Sequence, residues 1–443
     1  MSRLKHDILL RFVKYMAVVL MVCPFLFYCF WDCSENKNIA IVLGILSIVF
    51  YFIFGRIYEA FFVSIKKISE MIYSQMLAAL VSDGILYILI CLLSRSIWSV
   101  RPFLIILFVQ FLVAVVWANF ANRWYFSIFP PKQSLIVYDS RSGLDDMIEK
   151  YCLNRKYEIK KVMYVDSLLK NLFILDQYQT VFISGVHSKE RNIIMKYCVG
   201  KDIEAFIIPR IGDVLLHSAE EVHMFHIPML QVKRYKASPE YLFVKRLMDI
   251  VISGIALIIL SPIMIVVAIV IKAYDGGPAF YSQVRLTKDG KKFNIHKFRS
   301  MRVDAEKDGV ARLSTGDNDD RITPIGKVIR KLRFDELPQL LDILAGTLSI
   351  VGPRPERPEI AKEYEKELPE FALRLQAKAG LTGYAQVYGK YNTTPYDKLM
   401  MDLMYIANPS ILEDIRLMFA TVKILFMSDS TEGVEEGQTT ANK

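Results

Sequence analysis

The sequence predicts a three-part membrane protein: an α-helical bundle of four transmembrane helices, a small parallel α/β domain, and a mainly helical, monotopic C-terminal domain anchored by a re-entrant helix. Three patterns carry that reading. Four apolar runs crowd the first third of the 443 residues, short β-rich runs alternate with polar stretches in the middle, and a fifth apolar run is interrupted by Ser261-Pro262 at its centre.

With 53% hydrophobic residues and a mean hydropathy of +0.29, the chain is too apolar to be wholly soluble. The first four runs cover 12–31, 39–54, 75–93 and 102–121, each near the ~20 residues that cross a bilayer. None resembles a cleavable signal peptide. Arg3, Lys5, Arg11 and Lys14 precede the first run, Arg56, Lys66 and Lys67 follow the second, and Arg123 and Lys132 follow the fourth, whereas the other two loops hold only Lys37, Arg95 and Arg101. By the positive-inside rule the N-terminus is cytoplasmic, and an even number of spans in residues 1–125 returns the rest of the chain to the cytoplasm, at the bacterial inner membrane as a multi-pass protein. The net charge of +9 fits nucleic acid, anionic lipid or phosphorylated substrates equally. Its placement beside the membrane runs and in the C-terminal motifs favours the last two over nucleic acid. The six cysteines form no CxxC pair and read as reduced thiols rather than a disulfide or zinc framework.

After "FPPKQ" the runs "SLIVYD", "IKKVMYV", "TVFISG" and "IEAFIIP" alternate with helical stretches, which argues for a parallel sheet over residues 133–236. The first turn, "DSRSGLDD", has one glycine where a dinucleotide fingerprint needs three, so this Rossmann-like domain is degenerate and NAD is not expected. His217, His223 and His226 lack a cysteine or close carboxylate to complete a metal set and read as surface histidines.

Residues 250–271 carry no charge and are long enough to cross. Proline removes a backbone donor and clashes with the preceding turn, so a kink or a break is expected at Ser261-Pro262. Each half is then about 16 Å long, near half the hydrocarbon thickness. Lys245 and Arg246 precede the run; Lys272, Lys288, Lys291, Lys292, Lys297, Arg299 and Arg302 follow it. Both ends therefore stay cytoplasmic, and the segment dips into the inner-leaflet lipid and leaves.

The chemistry concentrates in residues 241–428. In "RKLRFDELPQLLDILAG" two adjacent acids, Asp335 and Glu336, stand between cations and a leucine stripe. Leu337, Leu340, Leu341 and Leu344 repeat at helical spacing and Pro338 is tolerated only in a first turn, which puts Asp335 near an N-cap and Glu336 just inside. Such acids need no active site: capping alone is worth ~1 kcal/mol. The surroundings point further. Lys297, Arg299, Arg330 and Arg354, brought together, would form a site for phosphate, in which a carboxylate stays ionised for attack and its neighbour takes Mg²⁺ through oxygen.

At these residues the sequence resembles the bacterial polyprenyl-phosphate hexose-1-phosphate transferases, the monotopic phosphoglycosyltransferases of exopolysaccharide, capsule and O-antigen synthesis. "KRLMD", the Ser261-Pro262 pair, "GGPAFYSQVR", "KFRSM", "RKLRFDELPQL", "VGPRP", "GLTGYAQVYG" and "KLMMDLMYI" occur in the family's order from Lys245 to Phe426. The resemblance implies that Asp335 attacks the sugar-linked phosphorus of a UDP-sugar and that UMP leaves. It implies that Glu336 binds Mg²⁺, that Lys297, Arg330 and Arg354 neutralise phosphate oxygens, and that undecaprenyl phosphate takes the phosphosugar. Asp402 also matches a family acid, with a role left open between catalysis and structure. Pro324 and Phe334 depart from the usual residues without touching an implied role. A homodimer is left open.

Two other readings compete. A non-catalytic membrane scaffold would not need the intact dyad and cations. A glycosyltransferase using a metal-binding DxD has only "DNDD" at 317 and would release UDP rather than UMP. Residues 429–443 are polar and read as a disordered tail.

Overall fold

The computed structural model describes residues 3–32, 37–305, 319, 321–389 and 393–425; most of "DNDD" and the whole C-terminal tail lie outside them. The chain divides into two compact units at Pro209/Arg210.

The first unit opens with α1 (Arg3–Asp32), α2 (Lys37–Ile57), α3 (Ile68–Ser94) and α4 (Val100–Ile128). All four are long and apolar enough to cross a membrane. Phe25, Leu43, Leu86 and Ile106, one from each helix, share a buried cluster. The α/β part follows as β1 (Lys132–Tyr138), α5 (Leu144–Lys150), β2 (Tyr157–Tyr164), α6 (Val165–Leu169), β3 (Thr180–Ser184), α7 (Ser188–Gly200) and β4 (Glu204–Ile207). The strands form one sheet in the order β2-β1-β3-β4, all pairs parallel. Each of the four β-rich runs is a strand, and the period of two sends Leu135, Val137, Val181 and Ile183 into one core with Ile194 and Cys198 of α7.

The second unit begins with α8 (Ile211–His217), β5 (Glu220–Met224) and β6 (Ile227–Gln231). Val214 of α8 shares a core with Ile360, Tyr364, Phe371 and Leu403 farther along the same unit.

Next comes α9 (Pro239–Asp275), 37 residues and a fifth helix of membrane-crossing length. The expected break is absent: α9 is helical through Ser261 and Pro262. Proline removes the N–H that would serve the carbonyl four residues back, that of Ile258, and the Ser261 hydroxyl donates to that oxygen instead at 2.9 Å. The helix ends at Gly276, whose φ of 70° reverses the chain.

Beyond it lie β7 (Phe280–Leu286) and β8 (Lys292–Phe298), an antiparallel hairpin. Then follow α10 (Pro324–Lys331), α11 (Gln339–Ala345), β9 (Ser349–Val351), α12 (Pro358–Glu367), β10 (Gly380–Thr382), α13 (Tyr384–Tyr388), α14 (Pro395–Ala407) and α15 (Ile411–Leu425). β9 and β10 pair in parallel; a Cβ on Gly352 would lie 2.3 Å from the Lys378 carbonyl, so only glycine lets the two strands meet there.

The motif "KRLMD" fastens α9 to this unit. Lys245 Nζ lies 2.8 Å from Asp414 Oδ2. Arg246 donates to the Ile343 and Leu344 carbonyls, both at 2.7 Å, satisfying the end of α11. Asp249, 4% exposed, accepts from Ser349 Oγ and the Ile350 N–H, both at 2.9 Å. Leu257 and Leu260 then pack on the core of Ile295, Ile343 and Leu348. Val267 and Ile271 join Phe298 and Ile329, with Phe334 and Leu337 against them. The helix thus lies along its unit by one face, and Ile258, Ile259, Ile265, Val266 and Ile269 stay exposed on the other.

Candidate active site

The two acids occupy a single 3-10 turn, Phe334–Glu336, rather than the cap of a helix; α11 starts three residues later with Pro338 at its N-cap position. Arg333 initiates the turn with a left-handed φ of 58°, so the leucine stripe begins before the α-helix does. Phe334 and Leu337, on either side of the dyad, seat the turn against Val267 and Ile271 of α9.

Opposite the turn stands Lys297 of β8, with Nζ 3.0 Å from Glu336 Oε1. Its neighbour His296 holds Asp342 of α11 through its backbone N–H at 2.8 Å and its ring Nδ1 at 2.6 Å, tying the strand to the helix that follows the dyad. Just past β8 the chain meets α10 so closely that a Cβ on Gly326 would lie 1.9 Å from the Ser300 carbonyl. Arg354, 43% exposed, reaches to 3.7 Å from the same Glu336 oxygen.

These charges separate the two acids. Burial alone would raise Glu336, but Lys297, Arg354 and Arg333 outweigh it and bring its carboxyl down to about 2. Asp335 goes the other way: burial raises it, the Glu336 charge adds to the rise, and Lys297, Arg330 and Arg333 only partly offset both. The cations therefore bear most heavily on Glu336, while Asp335 sits above the ordinary carboxylate range. Asp335 Oδ1 is buried with no hydrogen-bond partner among the described residues.

Lys297, Arg330 and Arg354 thus converge on the dyad. Arg299 does not: it is 8% exposed, paired with Asp275 at the end of α9, and packed over Gly277, where a Cβ would lie 2.5 Å from its Nη1. Alternation along a strand edge makes Lys297 and Arg299 look equivalent in sequence; the burial of Arg299 under α9 separates them. Asp402 of α14 is 1% exposed and pairs with Arg374 at 2.7 Å. Arg333 was legible only as a turn residue, and nothing in its sequence context marks Arg374 as a participant.

The family profile described as bacterial sugar transferase matches residues 240–428. The galactosyl transferase CpsE of Streptococcus agalactiae serotype III is 32% identical over 357 residues, covering 74% of this chain and 78% of that protein. The chain belongs to the bacterial sugar transferase family. It is also similar to the UDP-N-acetylgalactosamine-undecaprenyl-phosphate N-acetylgalactosaminephosphotransferase of Aeromonas hydrophila, 36% identical over 52% of this chain and 53% of that one. A third bacterial sugar transferase relative, the UDP-glucose:undecaprenyl-phosphate glucose-1-phosphate transferase of Klebsiella pneumoniae, is 39% identical over 42% of this chain and 41% of its own length. The chain thus spans about half or less of the length of these last two relatives.

Proposed function

We propose that the protein transfers hexose-1-phosphate from a UDP-sugar to undecaprenyl phosphate, as an early membrane step of exopolysaccharide, capsule or O-antigen synthesis. The observation that carries this reading is the asymmetry of the dyad: Glu336 is neutralised by Lys297 and Arg354, while the adjacent Asp335 keeps a buried, unpartnered oxygen. The relatives' names, which specify undecaprenyl-phosphate acceptors and UDP-linked donors, support the same substrate classes.

In this reading the ionised Asp335 attacks the sugar-linked phosphorus; the bond to the bridging oxygen breaks, and UMP leaves with that electron pair. A phosphate oxygen of undecaprenyl phosphate then attacks the aspartyl phosphosugar, the acyl–phosphate bond breaks, and the Asp335 carboxylate is restored with undecaprenyl-diphosphate-sugar as product. Lys297, Arg330 and Arg354 stabilise the charge on the transferring group, which is most of what phosphoryl transfer asks of a protein.

Mg²⁺ fits the donors present, because it takes one or two carboxylates and completes its shell with substrate phosphates and water. Glu336 is the residue that would hold it, since its Oε1 faces Lys297 and Arg354 and leaves Oε2 to a cation. Among the described residues no three His, Cys, Asp or Glu gather into a fuller ligand set. When bound, the ion would supply charge neutralisation at the diphosphate.

α9 serves as the monotopic anchor. It contacts its own unit from Lys245 to Asp275, and its flanks are basic at both ends, so both ends stay on the cytoplasmic side with the exposed isoleucine face in inner-leaflet lipid. The dyad, packed on that helix, then meets a lipid-borne acceptor and a soluble donor at one interface.

Purified protein incubated with undecaprenyl phosphate, Mg²⁺ and a panel of UDP-sugars tests the function. UMP release from at least one donor, abolished by EDTA, is expected. No release from any donor refutes the reading, and UDP as the product would favour a DxD glycosyltransferase.

A further inference from the structure

In "GPRPERP" the stretch from Gly352 to Arg357, which carries Arg354, belongs to no helix or strand, yet its carbonyls are held one after another. The Arg354 carbonyl accepts from Arg374 Nη2 at 2.8 Å. The Pro355 carbonyl accepts from Arg285 Nη1 at 3.1 Å, and the Glu356 carbonyl from the Leu286 N–H at 3.0 Å. At its start the Gly352 N–H donates to the Thr382 carbonyl at 2.8 Å. Proline at 353, 355 and 358 fixes φ at three positions.

Arg374 is the centre of this support. It is 3% exposed, stacks on Phe371 with its guanidinium carbon 4.8 Å from the ring centre, and uses Nη2 twice. That nitrogen donates to the Arg354 carbonyl and also lies 2.7 Å from Asp402 Oδ2, as an ion pair. Its Nη1 lies 3.5 Å from Glu356 Oε1 on the same segment. Arg374 therefore grips the segment by a backbone oxygen and a side chain, and Asp402 pairs with the same guanidinium nitrogen that holds the Arg354 carbonyl.

Burying this many charges is expensive, and well-packed apolar residues would stabilise the fold at least as well. Stability alone gives no reason for an ion-paired arginine whose contacts run to the residue next to the dyad. We propose that Arg374, oriented by Asp402, is a positioning residue that holds Arg354 in register with Glu336 and the transferring phosphate. Asp402 thereby acts at a distance, through Arg374, rather than on substrate. This inference rests on the functional reading above for the identity of the phosphate, though not for the geometry.

A double-mutant cycle tests it. UMP release and, separately, UMP affinity are measured for the wild type, Arg354→Ala, Arg374→Gln and the double variant, in the full chain reconstituted with undecaprenyl phosphate. Arg374→Gln is expected to lower both by about tenfold, and the double variant to match Arg354→Ala within about twofold, because a support has nothing to hold once Arg354 is gone. Losses that multiply, or an Arg374→Gln protein with wild-type values, overturn the proposal. The isosteric Asp402→Asn is carried through the same cycle with the same expected non-additivity, so that a misfolded Arg374→Gln protein leaves the comparison intact. A wild type without turnover would refute the functional reading, while the affinity cycle still decides the positioning role.

Discussion

Lys297 and Glu336 lie 39 residues apart in sequence and 3.0 Å apart in space, and this contact joins the end of hairpin strand β8 to the acid pair. Lys297 also acts on Asp335, so its charge reaches both carboxyls while it hydrogen-bonds one of them.

Removing that charge should hurt turnover more than folding. Lys297→Gln is expected to lower UMP release about 10²- to 10³-fold, the loss typical of one preorganised electrostatic donor, with a thermal midpoint within a few degrees of wild type. Steady-state kinetics with circular dichroism in detergent checks this; near-normal turnover would remove Lys297 from the site.

The α9 anchor gives a topological outcome. A cysteine replacing Lys288, on the short turn after β7, should resist membrane-impermeant thiol reagents in intact cells and react after lysis. Labelling from outside would make α9 a true span.

Asp249 links α9 to β9 through two donors. Asp249→Ala leaves both buried, so a destabilisation of roughly 2–4 kcal/mol is expected, read as a lowered unfolding midpoint. An unchanged midpoint would mean the contact is not formed in the native protein.

Burial pushes the Asp402 carboxyl up to about 6, against the pull of Arg374, whereas an unfolded aspartate titrates near ~3.9. The folded chain thus holds this proton more tightly than the unfolded chain, and the buried charge is least favourable above pH 6. The wild type should therefore gain stability relative to Asp402→Asn as pH falls from 7.5 towards 5. Unfolding midpoints of the two proteins across that range check the sign; a constant difference, or one that shifts against the wild type towards acid, contradicts it.

Much of this was legible because it depends on local pattern. The four β-rich runs are short apolar stretches, buried almost throughout in β1 and β3, and the apolar runs of α1 to α4 need only composition. That Lys297, Arg330 and Arg354 are candidates for one site followed from motif content, whereas their meeting at the dyad rests on contacts such as Lys297 with Glu336. What escaped depends on contacts distant in sequence. Pro262 signals a break, and only the Ser261 hydroxyl facing the Ile258 carbonyl explains why none occurs. Asp335 and Glu336 fit a capping pattern, yet Arg333 takes a left-handed conformation and makes a 3-10 turn first. Arg299 resembles its neighbour Lys297 until Asp275, brought back by α9, claims it.

The nucleophile is the centre of the account, and trapping decides it most directly. Protein is incubated with a UDP-sugar carrying a radiolabel in the sugar-linked phosphate, without acceptor, then denatured and counted. Wild type should retain acid-stable label that undecaprenyl phosphate discharges, and Asp335→Asn should retain none while folding normally. Label of wild-type amount on Asp335→Asn, or undiminished UMP release by it, would contradict attack by Asp335.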